Sequence, residues 1–144
     1  MEDYLEAIAM LKRKHTVARV RDISRLLGVK SPSVHAALAS LSKKGFVAHE
    51  KYGYVNLTSA GKEAARNIQR RHDVLLKFLT RILDIDSSIA LQDACQMEHV
   101  ISAKTLKSLT RFIQFVESGF NNGNPQWLRN FKHYLKTGKK SRAA

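Results

Sequence analysis

The 144-residue sequence has one cysteine, Cys95, and two prolines. A single cysteine excludes an internal disulfide, so a reducing, cytoplasmic setting is expected. Acidic residues are scarce: 12 Asp and Glu stand against 25 Lys and Arg, a formal net charge of +13. That excess points to a polyanionic partner, either nucleic acid or an anionic membrane surface. No apolar run approaches the ~18 residues of a bilayer-spanning helix. The chain opens with Glu2, Asp3 and Glu6, which is not a secretory leader pattern. HExxH, a phosphate-cradling glycine loop and a nucleophile elbow are all missing, so neither an enzyme nor a small-molecule substrate is expected. What is present is 44% apolar residues, enough for one compact unit or two small lobes.

The charge is unevenly spread. Residues 1–72 hold 14 basic against 6 acidic side chains, residues 73–128 hold 5 against 6, and residues 129–144 hold 6 against none. The first block and the tail can therefore face a polyanion, while the middle block is suited to another task.

Apolar spacing marks the elements. Leu5, Ile8 and Leu11 place a helix over Asp3–Lys14. Ile23, Leu26 and Leu27 form the inward side of a helix over Val20–Leu27, with Gly28 just past its end. Ser31-Pro32 reads as a cap followed by a first helical position, opening a helix to about Lys44 that buries Val34, Leu38 and Leu41. Two β-prone runs around Lys51-Tyr52-Gly53 form a hairpin. Thr58 caps a long helix to about Leu83, Asp86-Ser87-Ser88 opens one to about Ile101, and Ser102 opens another through Val116. A loop rich in glycine and asparagine then leads into a last amphipathic helix over Pro125–Lys136.

Three helices followed by a hairpin have the order of a winged helix-turn-helix. The second helix of such a pair enters the major groove, which makes Ser31, Pro32, Ser33, His35, Ala36, Ser40 and Lys43 the candidate base-facing residues. Arg19, Arg21, Lys30, Lys43, Lys44 and Lys51 are candidate phosphate contacts. The base-facing set is small and polar, which leaves much of the affinity to phosphates and DNA shape. One wing binds weakly, so a homodimer on a two-fold operator in double-stranded DNA is the expected design.

The middle block carries a different chemistry. Cys95, Glu98 and His99 fall at i, i+3 and i+4, which puts a thiol, a carboxylate and an imidazole on one side of a helix. His72 is in register with Ile68, Leu75 and Leu79, where a satisfied core histidine is the plain alternative to a ligand. Asp3 and Glu6 sit at i, i+3 on the first helix, where an acidic first turn complementing the helix dipole is the plain alternative. Cys95 read alone is a small buried hydrophobe. Were all these groups to meet, four potential anions would share one site, an arrangement that needs a cation.

Three stretches resemble the diphtheria-toxin-repressor family of iron- and manganese-dependent repressors. They are Glu2-Asp3-Tyr4-Leu5-Glu6-Ala7-Ile8, Arg71-His72-Asp73-Val74-Leu75-Leu76, and Asp93-Ala94-Cys95-Gln96-Met97-Glu98-His99-Val100-Ile101-Ser102. Leu57-Thr58-Ser59-Ala60-Gly61 is also similar to the family. The resemblance implies a mainly α chain. It has a winged helix-turn-helix domain at 1–66 (wing about 46–57), a helical metal-binding and dimerisation domain at 67–138, and a basic tail at 139–144. It also implies a metal-dependent repressor of metal-uptake genes with Asp3, Glu6, His72, Cys95, Glu98 and His99 as ligands. Asp3 and Glu6 are similar to the manganese-sensing branch, and Cys95 to the iron-sensing branch. A thiolate favours softer ions, so Fe(II) is expected first and Mn(II) close behind, with Co(II) or Zn(II) able to bind in vitro. The competing reading is a metal-independent or thiol-sensing regulator that works through Cys95.

Overall fold

In the computed structural model, residues 1–15, 17–49, 53–119 and 123–140 are described. The chain divides into two compact units, Met1–Gln69 and Arg70–Ala144. The turn Lys51-Tyr52 and the end of the basic tail lie outside the described residues, so the candidate phosphate contact Lys51 does too.

The first unit is built on the apolar stripes. Leu5, Ile8 and Leu11 are buried on α1 (Glu2–Lys14), and Val34, Leu38 and Leu41 on α3 (Ser31–Lys43). Each such side chain contributes roughly 1.5–3 kcal/mol on leaving water. They close one core with Ile23 of α2 (Val20–Leu27), Val47 of β2 (Val47–His49), Val55 and Leu57 of β3 (Tyr54–Leu57), and Ala65 and Ile68 of α4 (Ser59–Lys77). Gly28 ends α2 in the left-handed conformation at φ 65°, which only glycine adopts without strain. The short turn after it leads directly into α3.

Three details depart from the sequence reading. Leu26 is exposed rather than inward: α2 has only eight residues, and Val20, Ile23 and Leu27 already fill the side that meets the core. Ser31 is not the cap of α3. Lys30 takes the extended cap conformation and makes no side-chain bond, so Ser31 is already helical. Pro32 still falls in the first turn, where its missing N–H costs nothing. A third strand also completes the sheet. β1 (Ala18–Arg19) pairs antiparallel with β3, giving the order β1-β3-β2 with Arg19 opposite Tyr54 and Val47 opposite Leu57.

Thr58 caps α4 as expected, accepting from the Gly61 N–H at 3.1 Å. Gly61 is required for another reason. A Cβ there would stand 2.0 Å from the Phe46 carbonyl oxygen, so the helix can approach the hairpin this closely only at a glycine.

In the second unit, α4 does not run to Leu83 as one regular helix. It gives way at Phe78–Ile82 to a π-helical turn, and Asp84 follows in the left-handed region at φ 58°. Two lysines of α7 (Gln126–Thr137) hold that corner: Lys132 and Lys136 reach the Asp84 carboxylate at 3.0 and 3.2 Å. Asp86 caps α5 (Ser87–Met97), accepting from the Ser88 N–H at 2.8 Å. Ser102 caps α6 (Ala103–Ser118), accepting from the Thr105 N–H at 3.2 Å. The apolar contacts form two small clusters. One gathers Leu75, Leu79, Ala90 and Ala94, and the other Ile82, Val116 and Leu128.

Candidate metal centre and nucleic-acid surface

The Asp86 cap fixes where α5 begins, and so which of its residues turn inward. Ala90 and Ala94 are fully buried, while Cys95, next along, lies exposed. Cys95 is therefore not the small buried hydrophobe of the plain alternative. α5 ends at Met97, earlier than the spacing suggested, and beyond it the Val100 N–H bonds the Met97 carbonyl only three residues back, the tighter turn typical of a helix end. Glu98 nevertheless keeps a helical backbone (φ −60°, ψ −27°) and donates its N–H to Ala94. The one-sided arrangement read from the sequence survives past the helix end for this reason. The Cys95 Sγ, a Glu98 carboxylate oxygen and a His99 ring nitrogen lie within 4.8 Å of one another.

Glu98 is the centre of this group. It is 1% exposed, the only buried charged residue among those described. One carboxylate oxygen, Oε2, accepts from His72 Nδ1 at 2.9 Å. The other, Oε1, has no hydrogen-bond partner among the described residues, and His99 Nε2 stands 3.6 Å from it. Burying a carboxylate oxygen without a partner costs about 1–3 kcal/mol or more. Such an atom calls for a partner, and a bound cation is one that would complete it. The donors around it, one sulfur, one carboxylate and imidazole nitrogen, suit a first-row divalent cation. His72 is mostly buried on α4 but is not packed only among apolar groups, since its ring is tied to Glu98. Arg71, which the sequence reading did not single out, donates to the Glu98 carbonyl at 3.5 Å. The signal for it was its place directly before His72. Asp3 and Glu6 lie on α1 in the first unit, Asp3 exposed and Glu6 half-buried.

On the first unit, α3 presents the candidate base-facing residues. Ser31, Pro32, Ser33, His35, Ala36, Ser40 and Lys43 are all exposed, as are Lys30 before the helix and Lys44 after it. Arg21 is exposed at the start of α2. Arg19 is held at the sheet edge, its guanidinium 5.3 Å from the Tyr54 ring centroid and 3.4 Å from the Tyr54 hydroxyl. Tyr54 is thus a supporting residue that the sequence reading missed. Only the pairing of β1 with β3 reveals it.

A winged helix-turn-helix followed by a helical unit with a thiol–carboxylate–imidazole cluster defines a class: metal-linked DNA-binding regulators. Comparison with known proteins narrows this. Residues 1–55 match the iron dependent repressor N-terminal DNA-binding domain, and residues 58–128 match the metal-binding and dimerisation domain of the same family. The chain is 35% identical over 117 residues to the HTH-type transcriptional regulator MntR of Bacillus subtilis, covering 81% of this chain and 82% of that one. It is 31% identical over 115 residues to an uncharacterized HTH-type transcriptional regulator of Methanocaldococcus jannaschii, covering 79% and 92%. The chain belongs to the iron-dependent repressor family, a family of DNA-binding regulators rather than enzymes. Among solved structures it is similar to T. acidophilum IdeR, with 26% identity and a TM-score of 0.70 over 87% of this chain and 59% of that one. It is also similar to a manganese-dependent transcriptional repressor in complex with manganese, with 25% identity and a TM-score of 0.72 over 79% and 52%. The chain spans little more than half the length of these solved regulators.

Proposed function

We propose that the protein is a cytoplasmic repressor of metal-uptake genes that binds a two-fold operator in double-stranded DNA as a homodimer when loaded with a divalent metal. The observation that carries this reading is the buried Glu98 carboxylate. Its Oε1 has no hydrogen-bond partner among the described residues and stands beside Cys95 and His99, in a chain whose other unit is a winged helix-turn-helix. Residues 1–66 serve DNA binding, residues 67–138 serve metal binding and dimerisation, and 139–144 form a basic tail. Cys95, Glu98 and His99 are ligands, with His72 beside Glu98. Asp3 and Glu6 complete the set, carboxylates one turn apart on α1 as in the manganese-sensing branch of the family. A bound dication supplies the positive charge that offsets repulsion among these anions.

Fe(II) is the favoured metal, because a soft thiolate gains more from it than from Mn(II). Mn(II) is the alternative, supported by the manganese regulators among the relatives. Ser31, Pro32, Ser33, His35, Ala36, Ser40 and Lys43 face the bases, with Arg19, Arg21, Lys30 and Lys51 on phosphates. The exposed position of Cys95 also favours a second reading, a thiol switch that works without metal. Anaerobic DNA-binding titrations with Fe(II), Mn(II), Co(II), Zn(II) and a chelator separate the two. Metal-stimulated, chelator-sensitive binding that disappears in Asp3→Ala/Glu6→Ala supports the metal reading. Binding that ignores chelator and responds to oxidant overturns it.

A further inference from the structure

The first unit contains a cleft whose chemistry differs from that of the ligand cluster. α1 contributes Ala9, Lys12 and Arg13 at i, i+3 and i+4. α4 contributes Lys62, Ala65, Arg66 and Gln69 at i, i+3, i+4 and i+7, and Leu57 contributes to the floor. Helical spacing therefore turns one side of each helix toward a shared cleft of about 340 Å³. Two of the lining residues are alanines, Ala9 on α1 and Ala65 on α4, whose short side chains leave room beside Leu57.

The rim has the opposite character. Four cations and no carboxylate line the cleft. Lys12 donates to the Asn56 side-chain oxygen, and Arg13 donates to Gln69 Oε1 at 3.4 Å. Both acceptors are neutral, so these bonds position the cations without cancelling their charge. Glu63 meets Arg66 only as an exposed pair at 3.8 Å, and such pairs hold little charge out of play. None of the four cations lies on α2, α3 or the hairpin, so DNA reading does not account for them.

We propose that this cleft binds a small amphiphilic carboxylate, with a short acyl or aryl tail on Ala9, Leu57 and Ala65 and its carboxylate among Lys12, Arg13, Lys62 and Arg66. An apolar floor with a few convergent polar groups is the usual composition of a small-molecule site. The cleft is at the small end of the ~300–1,000 Å³ range of such sites, which favours short chains over membrane lipids. Charge complementarity selects the anion, and the floor selects against anions with no tail. The proposal stands independently of the metal reading.

The test is isothermal titration of the full chain, in chelator and again with metal, using octanoate, octan-1-ol and acetate. Octanoate binds, and each of the other two binds at least about tenfold more weakly. Ala9→Leu fills the cleft and Lys62→Gln/Arg66→Gln removes exposed charge, and each lowers octanoate affinity by about tenfold. The second variant alters only exposed side chains, so it folds even if the first does not. Equal binding of octan-1-ol reduces the cleft to an unselective apolar groove. Equal binding of acetate reduces it to surface cations. Octanoate affinity unchanged in the charge variant overturns the proposal outright.

Discussion

The two units solve the problem of a small core differently. In Met1–Gln69, fourteen buried apolar residues form one continuous cluster, and every charged side chain there stays at least partly in solvent among the described residues. In Arg70–Ala144, seven buried apolar residues fall into clusters of four and three, Ile113 is buried outside both, and the deepest polar group is a carboxylate, Glu98. The most exposed large apolar side chains are also in the second unit, Phe115 at 71% and Val100 at 82% exposure, against 44% for Leu26 in the first. The unit that matches the family's DNA-binding domain thus has one continuous, close-packed core. The unit that matches the metal-binding and dimerisation domain leaves apolar surface in solvent, the kind of surface that marks an interaction site.

Core truncation breaks this contrast most strongly. Leu38→Ala, at a fully buried position of the first unit, should cost about 2–5 kcal/mol of unfolding free energy. Leu128→Ala, equally buried but in a cluster of only three buried residues, should fall at the low end of that range. Denaturant titrations of both variants check the ranking, and a larger loss at Leu128 would reverse the picture of which unit depends on packing.

Glu98→Gln tests the second unit's side of the comparison. The amide keeps the shape and removes the buried charge, so stability in chelator should hold or rise. Metal at a hundredfold excess over its Kd adds about 2.7 kcal/mol to the parent protein, and most of that increment should vanish in the variant. Thermal unfolding with and without metal reads both. A fall in chelator with an intact metal increment would make the Glu98–His72 pair purely structural.

Cys95→Glu sharpens the choice of ion. A thiol binds metal only after losing its proton, and a soft ion repays that loss better than Mn(II) does. The variant should therefore respond more strongly to Mn(II) and less to Fe(II) or Co(II) in anaerobic DNA-binding titrations. The same metal ranking in both proteins would remove Cys95 from the ligand set.

The smallest expected effect lies at the corner after the π-helical turn. The hydrogen bond from Lys132, followed by that from Lys136, holds the Asp84 carboxyl below its ordinary 3.8. A lowered folded-state pKa stabilises above the unfolded value and is lost as pH falls through the folded one. Asp84→Asn keeps a residue type that tolerates the left-handed backbone. It should flatten the acid limb of the stability curve below about pH 4, leaving the neutral plateau slightly lowered. An unchanged acid limb would show that the two lysines do not anchor α7 there.

Much of the fold was legible because its determinants are local. The spacing of Leu5, Ile8 and Leu11, the cap at Thr58 and the stop at Gly28 each act within one or two turns, and α1, the start of α4 and the end of α2 stand where they were read. Leu26 was misread because an eight-residue helix has too few turns for spacing to separate an inward position from a flanking one. The end of α5 was misread because it depends on how the last turn tightens, with the Val100 N–H bonded three residues back, and not on propensity. Strand β1 has only two residues and exists through its partner β3, so no local signal marks it.

The candidate site divides in the same way. The identities and spacing of Cys95, Glu98 and His99, and the family they resemble, are properties of the chain alone, since helical periodicity orders neighbours before anything packs. That Glu98 is buried, that His72 reaches it across 26 positions of sequence, and that one carboxylate oxygen has no hydrogen-bond partner among the described residues were decided only by tertiary packing. Burial and pairing between distant residues depend on how α4 and α5 meet, and no local pattern encodes that meeting. The cleft lined by Ala9 and Ala65 belongs with these: each alanine is unremarked in its own helix, and only the tertiary structure brings the two into the lining of one cleft.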